Sequence, residues 1–349
     1  MSECRAPVEA LNLAGYAGYV PATQKAKPLI VLLGPTGSGK TALALEIAGQ
    51  FRGEIVNCDS VQVYRGFDIG AAKLPESKRR GIPHHLFDIA GPETEFTAGD
   101  YLREARQALD EISSRNRIAV VAGGAGFYLR ALLHGLSPAP LRDELLRARL
   151  DRIAEKRPSF LHFMLNRCDQ TAAARIHPND RQKLIRAIEI SILARQAVSQ
   201  VQSEPRAPLE GYAVLKIGLD PDRSELREQL AGRAENMFQE GLLDETRQLL
   251  ATGYSIDSKA MHSVGYKQAM QVLAGQLPLQ DAIDQCIART RQYAKRQLTW
   301  FRAERNVAWL NGFGTEEDVH ARALALARSH LVSSSEKVLS TSEHINSSR

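Results

Sequence analysis

Short apolar runs and amphipathic stretches alternate along the first third of the chain. Residues 29–33, "LIVLL", form a continuous apolar run that enters a glycine-rich turn, and "TALALEIAGQF" after it repeats its apolar positions at helical spacing. That pattern predicts strand, loop, helix. A second strand-like run, "GEIVNCDS", closes at Asp59. It is followed by "TAGDYLREARQALDEI", a helical stretch with Thr97 as its expected N-cap, and then by the strand signal "RIAVVAGG" at 117–124. Strands alternating with helices predict an α/β fold with a doubly wound parallel sheet, covered on both faces.

After "GLSPAP" at 135–140 the strand signal disappears. From Leu141 to about Val201 the sequence is Arg-, Leu- and Ala-rich helix, broken at Pro158 and Pro178. "YAVLKIGLD" at 212–220 and "NVAWLNG" at 306–312 read as strands again. A helical block between strand-bearing segments predicts an insertion. The expected organisation is a loose extension over 1–27, an α/β core over 28–140 and 207–315, an all-helical insertion over 141–206, and a Ser-rich disordered tail over 333–349.

Composition narrows the class. A chain of 349 residues with 44% hydrophobic content is long enough for a core domain plus a smaller unit. Its four cysteines, Cys4, Cys58, Cys168 and Cys286, are far apart with no C-x-x-C pair, which argues against a zinc site or a disulfide framework and for a reducing cytoplasm. No stretch of 18 apolar residues occurs, so a soluble protein with no membrane partner is expected. The net charge of +5 is modest, but cations outnumber carboxylates between Arg142 and Arg206 and again between Arg289 and Arg305. Such clustering suits a polyanion-binding face. A solvated basic surface is the plainer reading.

The chemistry starts at "GPTGSGKT", Gly34 to Thr41, a phosphate loop in the required strand-to-helix context. Gly37 and Gly39 let backbone N–H groups approach a phosphate chain at a helix N-terminus, Lys40 neutralises its oxygens, and Thr41 offers a hydroxyl to Mg²⁺. A nucleotide hydrolase would also carry an apolar strand ending in Asp to complete the magnesium shell. Here "RIAVVAGG" ends in glycines instead. Asp59 alone closes a nearby strand, leaving two readings: a proton acceptor, or an outer-shell partner of magnesium. His84 and His85 lack ligand-spaced partners and read as structural. Tyr64, Phe127 and Tyr128 read as core or pocket wall, and Trp300 as core.

Seven segments in order, "GPTGSGKT", "NCDSVQVYRGFDIGAAK", "IPHHLFDI", "VAGGAGFYLRALL", "HPNDRQKLIRAIEI", "VGYKQ" and "TRQYAKRQLTWFR", resemble the tRNA dimethylallyltransferases from about Leu29 to Gly312. The resemblance implies a P-loop NTPase-like core. It also implies transfer of a dimethylallyl group from dimethylallyl diphosphate to N6 of the adenosine 3′-adjacent to the anticodon of tRNAs reading codons that begin with U, with diphosphate released. Gly34, Pro35, Thr36, Gly37, Ser38, Gly39, Lys40 and Thr41 would then bind the diphosphate, with Mg²⁺ at Thr41. Asp59 would be the general base, with Thr36 and Arg130 also catalytic. Asp59, Ser60, Val61, Gln62 and Ala125, together with Gln182, Lys183, Leu184, Ile185 and Arg186, would contact the tRNA anticodon stem-loop.

A cytoplasmic monomer is implied, with a tail lacking the zinc-finger cysteines of eukaryotic members. The chain departs from the family pattern at Ala125, where Thr is usual, and at Gln229 and His262, where Arg is frequent; Arg223 and Arg233 are candidate substitutes. Two other readings remain at this point, a small-molecule P-loop kinase and an RNA-binding nucleotide switch.

Overall fold

Residues 29–33 are buried on both sides because their strand is central in the sheet. The computed structural model describes residues 26–336. In the order of the sequence, β1 (Lys27–Leu33), α1 (Lys40–Gln50), β2 (Gly53–Asn57), β3 (His84–His85), α2 (Ala98–Ser114), β4 (Ile118–Ala122) and α3 (Gly126–His134) form the first part of the core. Five helices follow: α4 (Glu144–Lys156), α5 (Phe160–Cys168), α6 (Gln170–Arg175), α7 (Arg181–Ala194) and α8 (Val198–Ser203). The chain then returns as β5 (Tyr212–Asp220), α9 (Arg223–Gln239), α10 (Leu242–Ala251), α11 (Tyr266–Leu273), α12 (Leu279–Arg302), β6 (Val307–Asn311) and α13 (Glu317–Glu336).

The six strands pair in parallel in the order β3-β2-β4-β1-β5-β6. Side chains along a strand alternate between faces, so β1 serves two cores at once. Leu29, Val31 and Leu33 pack with α2 and α3, whereas Ile30 and Leu32 pack with α1 and α13. The doubly wound parallel sheet expected from the alternation is therefore present. Thr97 caps α2 with a reciprocal pair to Asp100, as the sequence predicts. A further cluster joins the loop after β2, through Val63, Tyr64 and Phe67, to α9, α10, α11 and the start of α12.

Three sequence expectations change. α13 packs Val319, Ala323 and Ala327 on the sheet, so the core runs past residue 315. The same helix continues to Glu336, so a disordered tail does not begin at 333. Residues 1–25 and 337–349 lie outside the described residues. Trp300, read as core, is 39% exposed and flanks an open cavity.

The segment α4–α8 has its own apolar cluster, built from Leu150, Leu161, Leu165, Leu184, Ile185 and Ile188 among others. At its edge Glu189 is fully buried, yet charged neighbours surround it. Its carboxylate accepts from Arg186 at 2.6 Å, from Arg147 at 3.2 Å and from the Asp143 N–H at 2.8 Å. A carboxylate removed from water needs such partners, because its desolvation is otherwise uncompensated.

A second buried polar group positions the phosphate loop. Gln297 on α12 is 4% exposed; its Oε1 accepts from Thr36 N at 2.7 Å and its Nε2 donates to Gly124 O at 2.9 Å. Gly124 has to be glycine for this, since a Cβ there would lie 2.1 Å from Gln297 Nε2. On the other side of the loop, Gly314 N donates to Ser38 O at 2.8 Å, and a Cβ on Gly39 would meet the Gly314 backbone at 2.8 Å.

Both polar knots give testable outcomes. Replacing Arg147 and Arg186 together by Ala leaves Glu189 buried without a cation, and urea unfolding should show a loss of about 3–5 kcal/mol in the helical insertion. Gln297→Leu keeps the volume but strands the Thr36 N–H and the Gly124 carbonyl. It should cost about 2 kcal/mol and weaken pyrophosphate binding, as read by urea titration and calorimetry. Unchanged stability and affinity would show that the loop holds its place without the glutamine.

Candidate active site

The phosphate loop turns through left-handed backbone at Gly37 (φ +80°) and Gly39 (φ +84°), a region that side chains with a Cβ rarely enter. α1 begins directly after it with no side-chain cap, so its first amides point into the loop without a competing oxygen. Lys40 Nζ donates to the carbonyls of Gly34 at 2.8 Å and Pro35 at 2.7 Å. Burial, and after it the Arg233 charge, lowers the Lys40 ammonium to about pKa 7, with Asp59 working in the opposite direction. Arg233, on α9, is also lowered by burial and supported by Asp59. Lys40, Arg233 and Asp59 therefore share one electrostatic site.

Asp59 follows β2 in a tight turn. Its N–H donates to Asn57 Oδ1 at 3.0 Å, and Asn57 Nδ2 is anchored to Leu86 O at 3.1 Å. One carboxylate oxygen, Oδ1, accepts from Val61 N at 2.8 Å and Gln62 N at 3.3 Å. Among the described residues no hydrogen bond reaches the other, Oδ2. The carboxylate is thus fixed through one oxygen and available through the other. Tyr293 on α12 lies close by, its phenol pushed up by burial and by the Asp59 charge. Burial also pushes the Cys58 thiol up to about 12, which leaves it unreactive as a nucleophile.

The loop beyond Asp59 is held by its own polar groups. Lys73 is buried and donates to Tyr64 O at 2.9 Å, Asp68 at 2.8 Å and Asp88 at 2.6 Å. Gln62 Nε2 donates to Ala71 O at 3.0 Å. His85 pairs with Glu54 at 2.7 Å and His84 Nδ1 lies 2.8 Å from Ile82 O, both structural contacts.

The structure sorts the residues singled out in the sequence. Gly34 to Gly39 form the loop and Lys40 and Thr41 open α1, with Ser38 fully buried and its Oγ without a partner among the described residues, and with Thr41 exposed. Ser60 is exposed; Val61 packs against the cluster under α9–α12, and Ala125 packs against α2 and α3 at the start of its helix. Arg130 is not part of the charged centre. It lies over the Trp300 ring at 5.7 Å, in a separate cavity, which argues against a catalytic role.

On α7, Gln182 and Lys183 are exposed and Asp180 caps the helix, accepting from Lys183 N at 3.2 Å. Leu184 and Ile185, at 1% and 2% exposed, belong to the insertion core and cannot present side chains to a ligand. Arg186 spends its guanidinium on Glu189 and the Pro140 carbonyl.

Sequence reasoning missed Gln297 and Tyr293 and gave Arg233 only a substitute's part. Tyr293 and Gln297 are four residues apart and share one helix face, a readable signal. Which way that face points was not readable. For a metal, Thr41 offers one hydroxyl, and the described residues contain no cluster of three or more His, Cys, Asp or Glu. That donor set fits a magnesium ion held mainly by a ligand's phosphate oxygens.

A sequence model of the IPP transferase family matches residues 62–304. The tRNA dimethylallyltransferase of Solibacter usitatus is 51% identical over 297 residues, covering 85% of this chain and 97% of its relative. That of Koribacter versatilis is 48% identical, covering 86% and 98%. Among solved structures, the tRNA isopentenylpyrophosphate transferase of Bacillus halodurans aligns with a TM-score of 0.66 at 34% identity, over 89% of this chain and 99% of the other. A eukaryotic dimethylallyltransferase solved acting on tRNA aligns with a TM-score of 0.73 at 27% identity, over 86% and 78%. These relatives speak against the kinase and nucleotide-switch readings. By sequence and by fold, the chain is a prenyltransferase that belongs to the tRNA dimethylallyltransferase family.

Proposed function

We propose that the chain transfers a dimethylallyl group from dimethylallyl diphosphate to N6 of the adenosine 3′-adjacent to the anticodon, in tRNAs reading codons that begin with U. The observation that carries this reading is Asp59, its Oδ1 pinned by backbone amides and its Oδ2 open, beside Lys40 and Arg233 at the phosphate loop. The loop amides and Lys40 bind the diphosphate, and Arg233 adds charge where the leaving group develops it. The bond between the allylic carbon and the diphosphate oxygen breaks, and a bond from that carbon to N6 forms. The N6 proton passes to Asp59 Oδ2, since an exocyclic amine is a weak nucleophile until its proton is accepted. Thr36, fixed through its N–H by Gln297, helps place the amine. Mg²⁺ held by Thr41 and the diphosphate would supply further neutralisation of the leaving group.

The tRNA anticodon stem-loop meets the exposed side chains Gln182 and Lys183 on α7 and the Ser60–Gln62 turn beside Asp59, with the adenosine unstacked to reach the carboxylate. No described helix is long and apolar enough to cross a membrane. The chain works as a monomer in the cytoplasm, with its substrate tRNA. Incubation with dimethylallyl diphosphate and unmodified tRNA, followed by mass spectrometry of the nucleosides, should give N6-isopentenyladenosine. Its absence from a folded, donor-binding protein would overturn the reading.

Two further outcomes follow from the site. Asp59→Asn should retain pyrophosphate affinity and lower kcat by roughly 10²–10⁴-fold in single-turnover assays, the usual worth of a positioned base. Near-normal turnover would remove Asp59 from the proton transfer.

The second concerns Lys40, whose free-state pKa is about 7 and which a bound anion raises. The charged form is full below that value, so pyrophosphate affinity in metal-free buffer should fall as pH rises from 7 to 9, with proton uptake on binding. Calorimetry in buffers of different ionisation enthalpy reads that uptake, and Lys40→Ala should abolish its share.

A further inference from the structure

Arg130 stands apart from the reacting atoms, in basic company. A cavity of about 600 Å³ lies between α3, β5 and the C-terminal end of α12, lined by Arg130, His134, Arg206, Lys216, Trp300 and Arg305. Its one carboxylate, Glu304, is already engaged, 2.9 Å from Lys216 Nζ and 3.6 Å from His134 Nε2. Among the described residues, Arg130, Arg206 and Arg305 have no carboxylate partner. Arg130 rests on the Trp300 ring, and Arg206 uses only its Nε, on Ser137 Oγ at 3.2 Å. Three guanidinium groups facing one space repel one another unless an anion joins them, and their planar forks match phosphate oxygens.

The cavity sits where the helical insertion joins the core. Arg206 and Ser137 belong to the two linkers of the insertion, while Arg130, Lys216 and Arg305 belong to the core. α12 connects it to the reaction centre. Gln297 at the phosphate loop and Trp300 at the cavity lie on the same helix, about 4.5 Å apart along its axis at 1.5 Å per residue, and Arg305 follows three residues after the helix ends at Arg302. A polyanion bound to both the insertion and the core therefore has cations waiting at their junction.

The structure assigns this cavity as an anchor for phosphodiesters of the tRNA backbone, distinct from the diphosphate site; the assignment rests on the transferase reading above. Arg130 and Arg305 hold the phosphate oxygens, Trp300 keeps the Arg130 plane in place, and Arg206 ties the insertion linker to the bound strand.

The test is tRNA binding as a function of salt, by fluorescence anisotropy, for the parent and for Arg130→Gln/Arg305→Gln. Each lost phosphate contact lowers the log–log salt slope by roughly 0.7–0.9, so the double variant should lose about 1.5. KM for tRNA should rise about tenfold, while pyrophosphate affinity is retained. Arg130→Lys/Arg305→Lys keeps the charge and should keep the slope, which separates lost contacts from lost folding. A glutamine variant with the parental slope overturns the anchor and leaves the transferase reading standing, whereas a parent that binds no tRNA overturns both. Loss confined to kcat would place the arginines at the reaction centre. A third arm titrates inorganic phosphate. Binding lost in the glutamine variant, with an unchanged tRNA slope, would make the cavity a free-anion site and end the proposal.

Discussion

The side-chain amide of Gln297 is the contact on which the active site depends. It fills the gap between two loops that belong to neighbouring strands, accepting from the Thr36 N–H and donating to the Gly124 carbonyl. A neutral amide suits this place because it meets one donor and one acceptor without adding charge beside Lys40. Gly124 makes room for it, since a Cβ there would strike the glutamine, while Gly123 lets the same turn close on the Cys58 carbonyl, 2.1 Å from where its Cβ would lie. The phosphate loop is consequently wedged between α12 on one side and Gly314 on the other.

With the loop fixed, the charges can work. Lys40 is parked on the carbonyls of Gly34 and Pro35, groups that give a buried ammonium only partial compensation. Its low pKa records that deficit, which an anion bound at the loop would relieve. Asp59 has the opposite arrangement. Backbone amides hold one oxygen, so the carboxylate stays in place while the second oxygen is left for chemistry. Arg233 is supplied by α9, a helix that packs against the loop following Asp59, so carboxylate and cation belong to one packed unit.

The insertion follows a different economy of charge. Its apolar cluster is independent of the sheet, and Glu189 draws Arg147 and Arg186 inward, away from the surface. Part of the basic excess in this region is therefore structural. Three cations without a carboxylate partner among the described residues, Arg130, Arg206 and Arg305, face one cavity at the junction with the core. Net charge along the sequence could not distinguish these two populations, because pairing is decided by neighbours in space.

The sequence by itself determined much of what has a short period or a short span. Alternation of strand and helix signals defined the parallel sheet, β5 falls on the 212–220 run, and Thr97 and Asp180 cap the helices they precede. The glycine and lysine spacing of residues 34–41 identified the phosphate loop, and Asp59 stood out as a carboxylate closing a strand. Only the tertiary structure decided which cation serves that carboxylate. It brought in Arg233 and set Arg130 aside against Trp300. It also joined Thr36 to Gln297 across 261 residues. Helical periodicity reports which residues share a face, whereas the neighbour that face meets depends on how non-local elements pack, and no local pattern encodes that.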